Sequence, residues 1–154
     1  MIPAADRRAL DYLRSHHVMT LATQGSDGPW AASVFYAADR FTLYFLSSPT
    51  SRHSANVASN PRVSVTVQED YADWPQVKGI QAEGVVAELS RDEEALARRL
   101  YGEKYPVVGK LAQAPAVIVK AMAKVRWYRF VPDRLYFIDN AAGFGHRDEV
   151  IEGR

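Results

Sequence analysis

The sequence contains no cysteine among its 154 residues. That excludes disulfide bonds and every metal centre built on thiolates. It also lacks an excess of either charge: 19 lysines and arginines face 18 aspartates and glutamates, a net charge of +1. Such balance gives no support to a general nucleic-acid binder or to a protein drawn to anionic membranes, both of which concentrate basic residues. No apolar run approaches the roughly 20 residues of a membrane-spanning helix. The opening MIPAADRR lacks the apolar core of a secretion signal. The expectation is a cytoplasmic protein without a membrane or nucleic-acid partner. Familiar catalytic motifs are missing as well. There is no G-x-S-x-G, no P-loop and no complete G-x-G-x-x-G; Gly143-Phe144-Gly145 is a fragment that reads as a flexible turn. His16, His17, His53 and His146 show no metal-ligand spacing, and no metal site is expected.

What is present suits one folded domain spanning residues 1–150: 47% of residues are hydrophobic and 24% charged, too apolar for a disordered chain. Residues 4–16 predict a first helix, with Pro3 ahead of it and Ala9, Leu10 and Leu13 on one stripe. Val18 to Thr23, Trp30 to Tyr36 and Phe41 to Leu46 predict three antiparallel strands, separated by turns at Gly25 to Pro29 and Ala37 to Arg40. Val63 to Gln68 and Gly79 to Leu89 continue the alternation, with Gly84 marking a bulge or a close backbone approach. Ser90 to Glu93 match a capping box for a helix through Tyr101, stopped by Gly102. Helical turns follow up to Lys124. Val125 to Val131 and Leu135 to Asp139 then predict two strands about a turn at Pro132-Asp133. Six or seven strands with short helices between them, and no βαβ rhythm, predict a mainly β (α+β) fold: a small antiparallel barrel. The last four residues, Ile151 to Arg154, match the recognition sequence of a protease used to remove purification tags, and read as a tag remnant or a native tail.

The most informative stretch is FLSSPTSRHSANVASNPRVSV, residues 45–65. A strand breaks into hydroxyls, an adjacent Arg52 and His53 follow, and a short helix ends at Asn60-Pro61. Ser48 or Thr50 is the expected N-cap, with Pro49 at the first helical position if Ser48 caps. Two readings stay open. Hydroxyls, a cation and the unpaired N–H groups of a helix N-terminus form a phosphate cradle; the same residues also suit an ordinary capped surface helix. Trp30, Trp74 and Trp127 likewise read either as cover for a planar ligand or as core and edge residues. Asp92, Glu93 and Glu94 read as charges suited to a helix N-terminus.

The order of these pieces resembles the pyridoxamine 5′-phosphate oxidase-like, FMN-binding split-barrel superfamily. The stretches KGIQAEGVVAEL, EEALARRLYGEKYPV and DRLYFIDNAAGFGHRDE are most similar to its YhbP-like branch. The resemblance runs from about Ala9 to Asp148 and implies a split barrel with FMN at the interface of a homodimer. It implies that Ser47, Ser48, Ser51, Arg52 and His53 surround the FMN phosphate, and that Ser33, Val34 and Phe35 lie along the isoalloxazine. Lys78 and Gln81 would reach its pyrimidine or ribityl side, and Trp127 and Phe144 would come from the neighbouring subunit. His53 stands where many relatives carry lysine or arginine. The Arg-rich ending with which true pyridoxamine phosphate oxidases grip substrate is missing, so that reaction is not expected. The implied activity is that of an FMN-dependent oxidoreductase or flavin reductase with an unknown substrate. A deazaflavin or haem in the same barrel, or flavin binding without turnover, are the alternatives.

Overall fold

The computed structural model describes residues 1–151. Helix α1 (Ala4–Ser15) precedes strands β1 (Val18–Gly25), β2 (Gly28–Asp39) and β3 (Thr42–Ser47). Helix α2 (Arg52–Ser59) leads to β4 (Arg62–Gln68) and β5 (Lys78–Glu88). Helices α3 (Glu94–Lys104), α4 (Pro106–Gly109) and α5 (Ala116–Met122) then precede β6 (Arg126–Asp139) and β7 (Arg147–Ile151). The antiparallel sheet runs β3-β2-β1-β4-β5-β6-β7, and a β3–β6 pairing closes six strands into a barrel, with β7 added outside. The expected mainly β, α+β barrel with short flanking helices is what the chain forms.

Period-2 alternation builds the interior. Met19 and Leu21, Val63, Val65 and Val67, Ile80 and Ala82, and Leu135 and Phe137 all point inward. Helix α1 covers one end with Ala9, Tyr12 and Leu13. A second cluster forms where α3 lays Ala97 and Tyr101 over Ala37, Tyr44 and Trp127. Lys104, at the end of α3, donates hydrogen bonds to the carbonyls of Leu13 and His16 and so ties α3 to the last turn of α1.

Several boundaries differ from the sequence expectation, each for a local reason. Strand β2 runs through Ala37 and Ala38 to Asp39, and the turn sits at Arg40-Phe41, where Arg40 takes φ 52°. Helix α3 begins after Ser90 to Glu93, not on them. The Glu93 carboxylate accepts from the Ser90 N–H and hydroxyl, closing a turn ahead of the helix. Gly102 does not stop α3; a Cβ there would stand 3.0 Å from Gly109 Cα, so the glycine lets α4 approach. Pro132-Asp133 is no turn either. β6 is one strand of 14 residues, and its register against β5 slips between Glu83 and Gly84. Pro132 is tolerated at that bulge, and a Cβ on Gly84 would lie 2.1 Å from the Val131 carbonyl oxygen. Strand β7 was not foreseen. The tail expectation for Ile151 to Arg154 meets β7 at Ile151 and otherwise lies outside the described residues.

Two features make the barrel split. Residues Gly28 to Phe35 of β2 pair with β1, while β3 pairs only with Tyr36 to Asp39. Leu46 and Ser47 at the end of β3 pair only with Trp127 and Arg126 of β6. Helix α2 begins where β3 leaves β2. No helix among the described residues is long and apolar enough to cross a membrane.

Candidate functional site

Ser47 ends β3 with its side chain turned inward, and it is buried. The chain then folds back within four residues: the Ser51 N–H reaches the Ser48 carbonyl at 3.1 Å, and the Thr50 N–H reaches Ser48 Oγ at 3.3 Å. Ser51, rather than Ser48 or Thr50, is the N-cap of α2, its Oγ accepting from the Ser54 N–H at 3.2 Å. Pro49 therefore lies in the turn and not in the helix. The expected caps, Ser48 and Thr50, instead belong to the turn that the Ser51 N–H closes on the Ser48 carbonyl.

The result is a compact polar knot. Ser51 Oγ lies 3.1 Å from Ser47 Oγ, 2.8 Å from Ser54 Oγ and 2.9 Å from the Ser48 carbonyl. His53 Nε2 stands 2.5 Å from Ser47 Oγ and 3.2 Å from Ser51 Oγ. Burial pushes the His53 imidazole below its ordinary pKa of 6.5, so near neutral pH it is uncharged. The Arg52 and His53 backbone N–H groups, in the first turn of α2, have no hydrogen-bond partner among the described residues. Arg52 leaves the knot and lies over Trp30, with Cζ 4.4 Å from the ring centroid.

The other expected residues are spread over the protomer. Ser33 belongs to an outward-facing row that crosses five strands in register: Ser33, Thr20, Thr66, Gln81 and Tyr136. Gln81 also lines an open groove of about 400 Å³ with Ser64, Arg134 and Arg147. The Val34 side chain packs toward the core, so only its backbone belongs to the outer surface. Phe35 is 55% exposed and meets Tyr105 edge-on at 5.5 Å. Lys78 lies three residues from Gln81 and so on the opposite side of β5, beside Tyr12 and Asp139. Phe144, 80% exposed, stands 5.3 Å from the exposed ring of Trp74 on a neighbouring loop. Trp127 is a correction to the expected set. At 3% exposure, with Tyr101 edge-on at 5.3 Å, it belongs to the second core cluster and offers a ligand no surface.

A family model for pyridoxamine 5′-phosphate oxidase matches residues 5–139. The chain belongs to this family. The UPF0306 protein of Klebsiella pneumoniae (strain 342) is 30% identical over 138 residues, covering 88% of this chain and 86% of its own. This supports the YhbP-like, UPF0306 placement. Among solved structures, a heme binding protein from Mycobacterium smegmatis superposes with TM-score 0.74 at 23% identity, over 97% of this chain. The chain spans only 58% of that longer protein. HutZ, a heme storage protein from Vibrio cholerae, gives TM-score 0.68 at 21% identity, covering 92% of this chain and 96% of its own. At these identities the two structures share the fold.

Sequence reasoning missed two members of the site, Ser54 and Asn56, and left Trp30 open. Ser54 is buried inside the knot, and its position three residues after the cap would have placed it there once Ser51 was known to be the cap. Asn56 donates to Thr23 Oγ1 at 3.0 Å, and Trp30 receives Arg52. Both contacts join segments far apart in sequence, and no local pattern announces them.

Proposed function

We propose that the entrance of α2 binds the phosphate of FMN, and that the chain is a flavoprotein acting as an oxidoreductase or flavin reductase. The observation that carries this reading is the convergence of Ser47, Ser51, Ser54 and His53 within hydrogen-bond distance, beside two unpaired helix N–H groups, on a helix whose first residue is Arg52. Such an array fits a dianionic group. Hydroxyls and first-turn N–H groups supply directed donors, and Arg52 supplies charge. Knot hydroxyls now bonded to one another can rotate toward phosphate oxygens, since a hydroxyl both donates and accepts. The polar row from Ser33 to Gln81 would face the flavin ring, whose chemistry is hydride transfer. Lys78 stands apart from this row and is assigned no contact.

We further propose a homodimer. Phe35 and its cross-strand neighbour Val18 are exposed together on the outer face of β1 and β2. A second copy covering that face would remove this apolar pair from water and bring a partner's Phe144 loop toward the cofactor.

The test is a titration of apoprotein with FMN, followed by absorbance after desalting. Quenched flavin fluorescence and retained bands near 450 nm are expected; free FMN after desalting removes the reading. Consumption of NADH or NADPH by the loaded protein then separates an enzyme from a flavin-binding protein without turnover. Haem is the second reading, favoured by the structural likeness to two proteins named for binding or storing it. It predicts a Soret band on adding hemin and no retained flavin. An absorbance maximum near 420 nm in place of the FMN bands would indicate a deazaflavin.

A further inference from the structure

The β1–β2 hairpin lies against α2, and contacts at three points hold it there. Asn56 donates to Thr23 Oγ1 at 3.0 Å. At the hairpin end, a Cβ built on Gly25 would stand only 2.0 Å from Asn56 Oδ1, so backbone and helix side chain already touch. The third point is Arg52. Its guanidinium stacks on the Trp30 ring at 4.4 Å and donates Nη2 to the Asp27 carbonyl at 3.2 Å.

These two partners leave most of the guanidinium free. Arginine carries five N–H donors, and the Asp27 carbonyl takes one. Neither the ring face nor a backbone carbonyl neutralises the cation, and Arg52 forms no ion pair among the described residues. Its orientation is fixed while its charge remains available. An exposed arginine normally loses rotamer freedom on gripping an anion; one already stacked has less to lose.

We propose that Trp30 is a positioning residue for Arg52: the hairpin, and not α2 alone, sets where the anion-binding guanidinium stands. The inference rests on assigning a phosphate-bearing cofactor to the α2 entrance. It separates Trp30 from two duller roles, a surface ring that adds stability and a platform for the flavin ring itself.

The test compares FMN with riboflavin, which carries the same ring without the phosphate, using wild type, Trp30→Ala and Trp30→Phe. Flavin fluorescence quenching gives both affinities, and thermal unfolding checks the fold of each variant. Trp30→Ala should weaken FMN about three- to tenfold, the cost of ordering one long side chain on binding, while riboflavin stays within about twofold. Trp30→Phe should restore most of the FMN affinity, because phenylalanine also presents a ring face. Equal losses for both ligands, or none for either, overturn the inference while FMN binding by wild type stands. A wild-type protein that takes up no FMN removes the cofactor assignment and the inference together.

Discussion

The two long connections of the barrel solve the same topological task in opposite ways. Between β3 and β4 the chain spends its residues on polar contacts: hydroxyls, an imidazole and a helix cap bonded to one another beneath the surface. Between β5 and β6, once past α3 and its buried Ala97 and Tyr101, it strings α4, a 3-10 turn and α5 from apolar residues, and none of those three pieces contains a buried residue. Val117 is 75% exposed there. Polarity sits inside one connection and apolar side chains outside the other, the reverse of what burial alone would produce. Interior polar groups must find partners at once, and the close spacing from Ser47 to Ser54 supplies them. Exposed valines carry no such requirement. The first connection is therefore constrained side chain by side chain, the second hardly at all once α3 has packed Ala97 and Tyr101 into the core.

Substitutions sharpen this contrast in order of expected effect. Arg52→Ala removes the cation of the first connection and should weaken FMN roughly 10- to 100-fold, corresponding to a charged hydrogen bond of about 1.5–3 kcal/mol; fluorescence titration reads it, and an unchanged affinity would break the link between knot and cofactor. Ser54→Ala leaves the buried hydroxyl of Ser47 and the half-buried one of Ser51 short of a partner and should lower stability by about 1–2 kcal/mol in urea unfolding. A third effect is set by pH. The folded-state pKa of His53 lies below its unfolded value, so the unfolded chain binds the proton first. The stability contributed by the neutral imidazole is present above about pH 6.5 and is lost as pH falls through the folded pKa. Phosphate should oppose that loss, since an imidazolium beside it is favoured; the FMN affinity advantage of wild type over His53→Gln should be larger at pH 5.5 than at pH 7.5, the phosphate's own titration at about pH 6 being common to both proteins. Smallest of all, Val117→Ser in the second connection should change stability by less than about 0.5 kcal/mol. A change in sedimentation mass for that variant would mean that a second copy covers α5 in solution.

The same contrast explains what could be read before the structure. β1, β4 and β5 alternate cleanly, and their inward residues are the ones the alternation names. β7 has no such alternation in Arg147–Ile151 and follows two glycines; only pairing with Tyr136 to Ile138 makes it a strand. β6 carries two turn-forming residues in its middle, and a bulge against Gly84 absorbs them. The convergence of Ser47, Ser51 and His53 was legible because one short segment holds them all. Trp127 was misjudged because an aromatic looks alike in sequence whether it faces ligand or core. Trp30 stayed ambiguous because its partner, Arg52, lies 22 residues away at the start of α2.

The unpaired margin of β2 has a bearing on solubility. On the side of β2 away from β1, residues Gly28 to Phe35 have no strand partner among the described residues, and such an edge is a template on which an extended peptide could add a strand. Pro29 interrupts it by having no N–H to give, and Gly28, at φ 99°, breaks the regular run of donors. Replacing Pro29 with valine would return a donor to that edge and make it a better template for strand addition, whereas Gly28, held at positive φ, admits no such replacement without straining the turn.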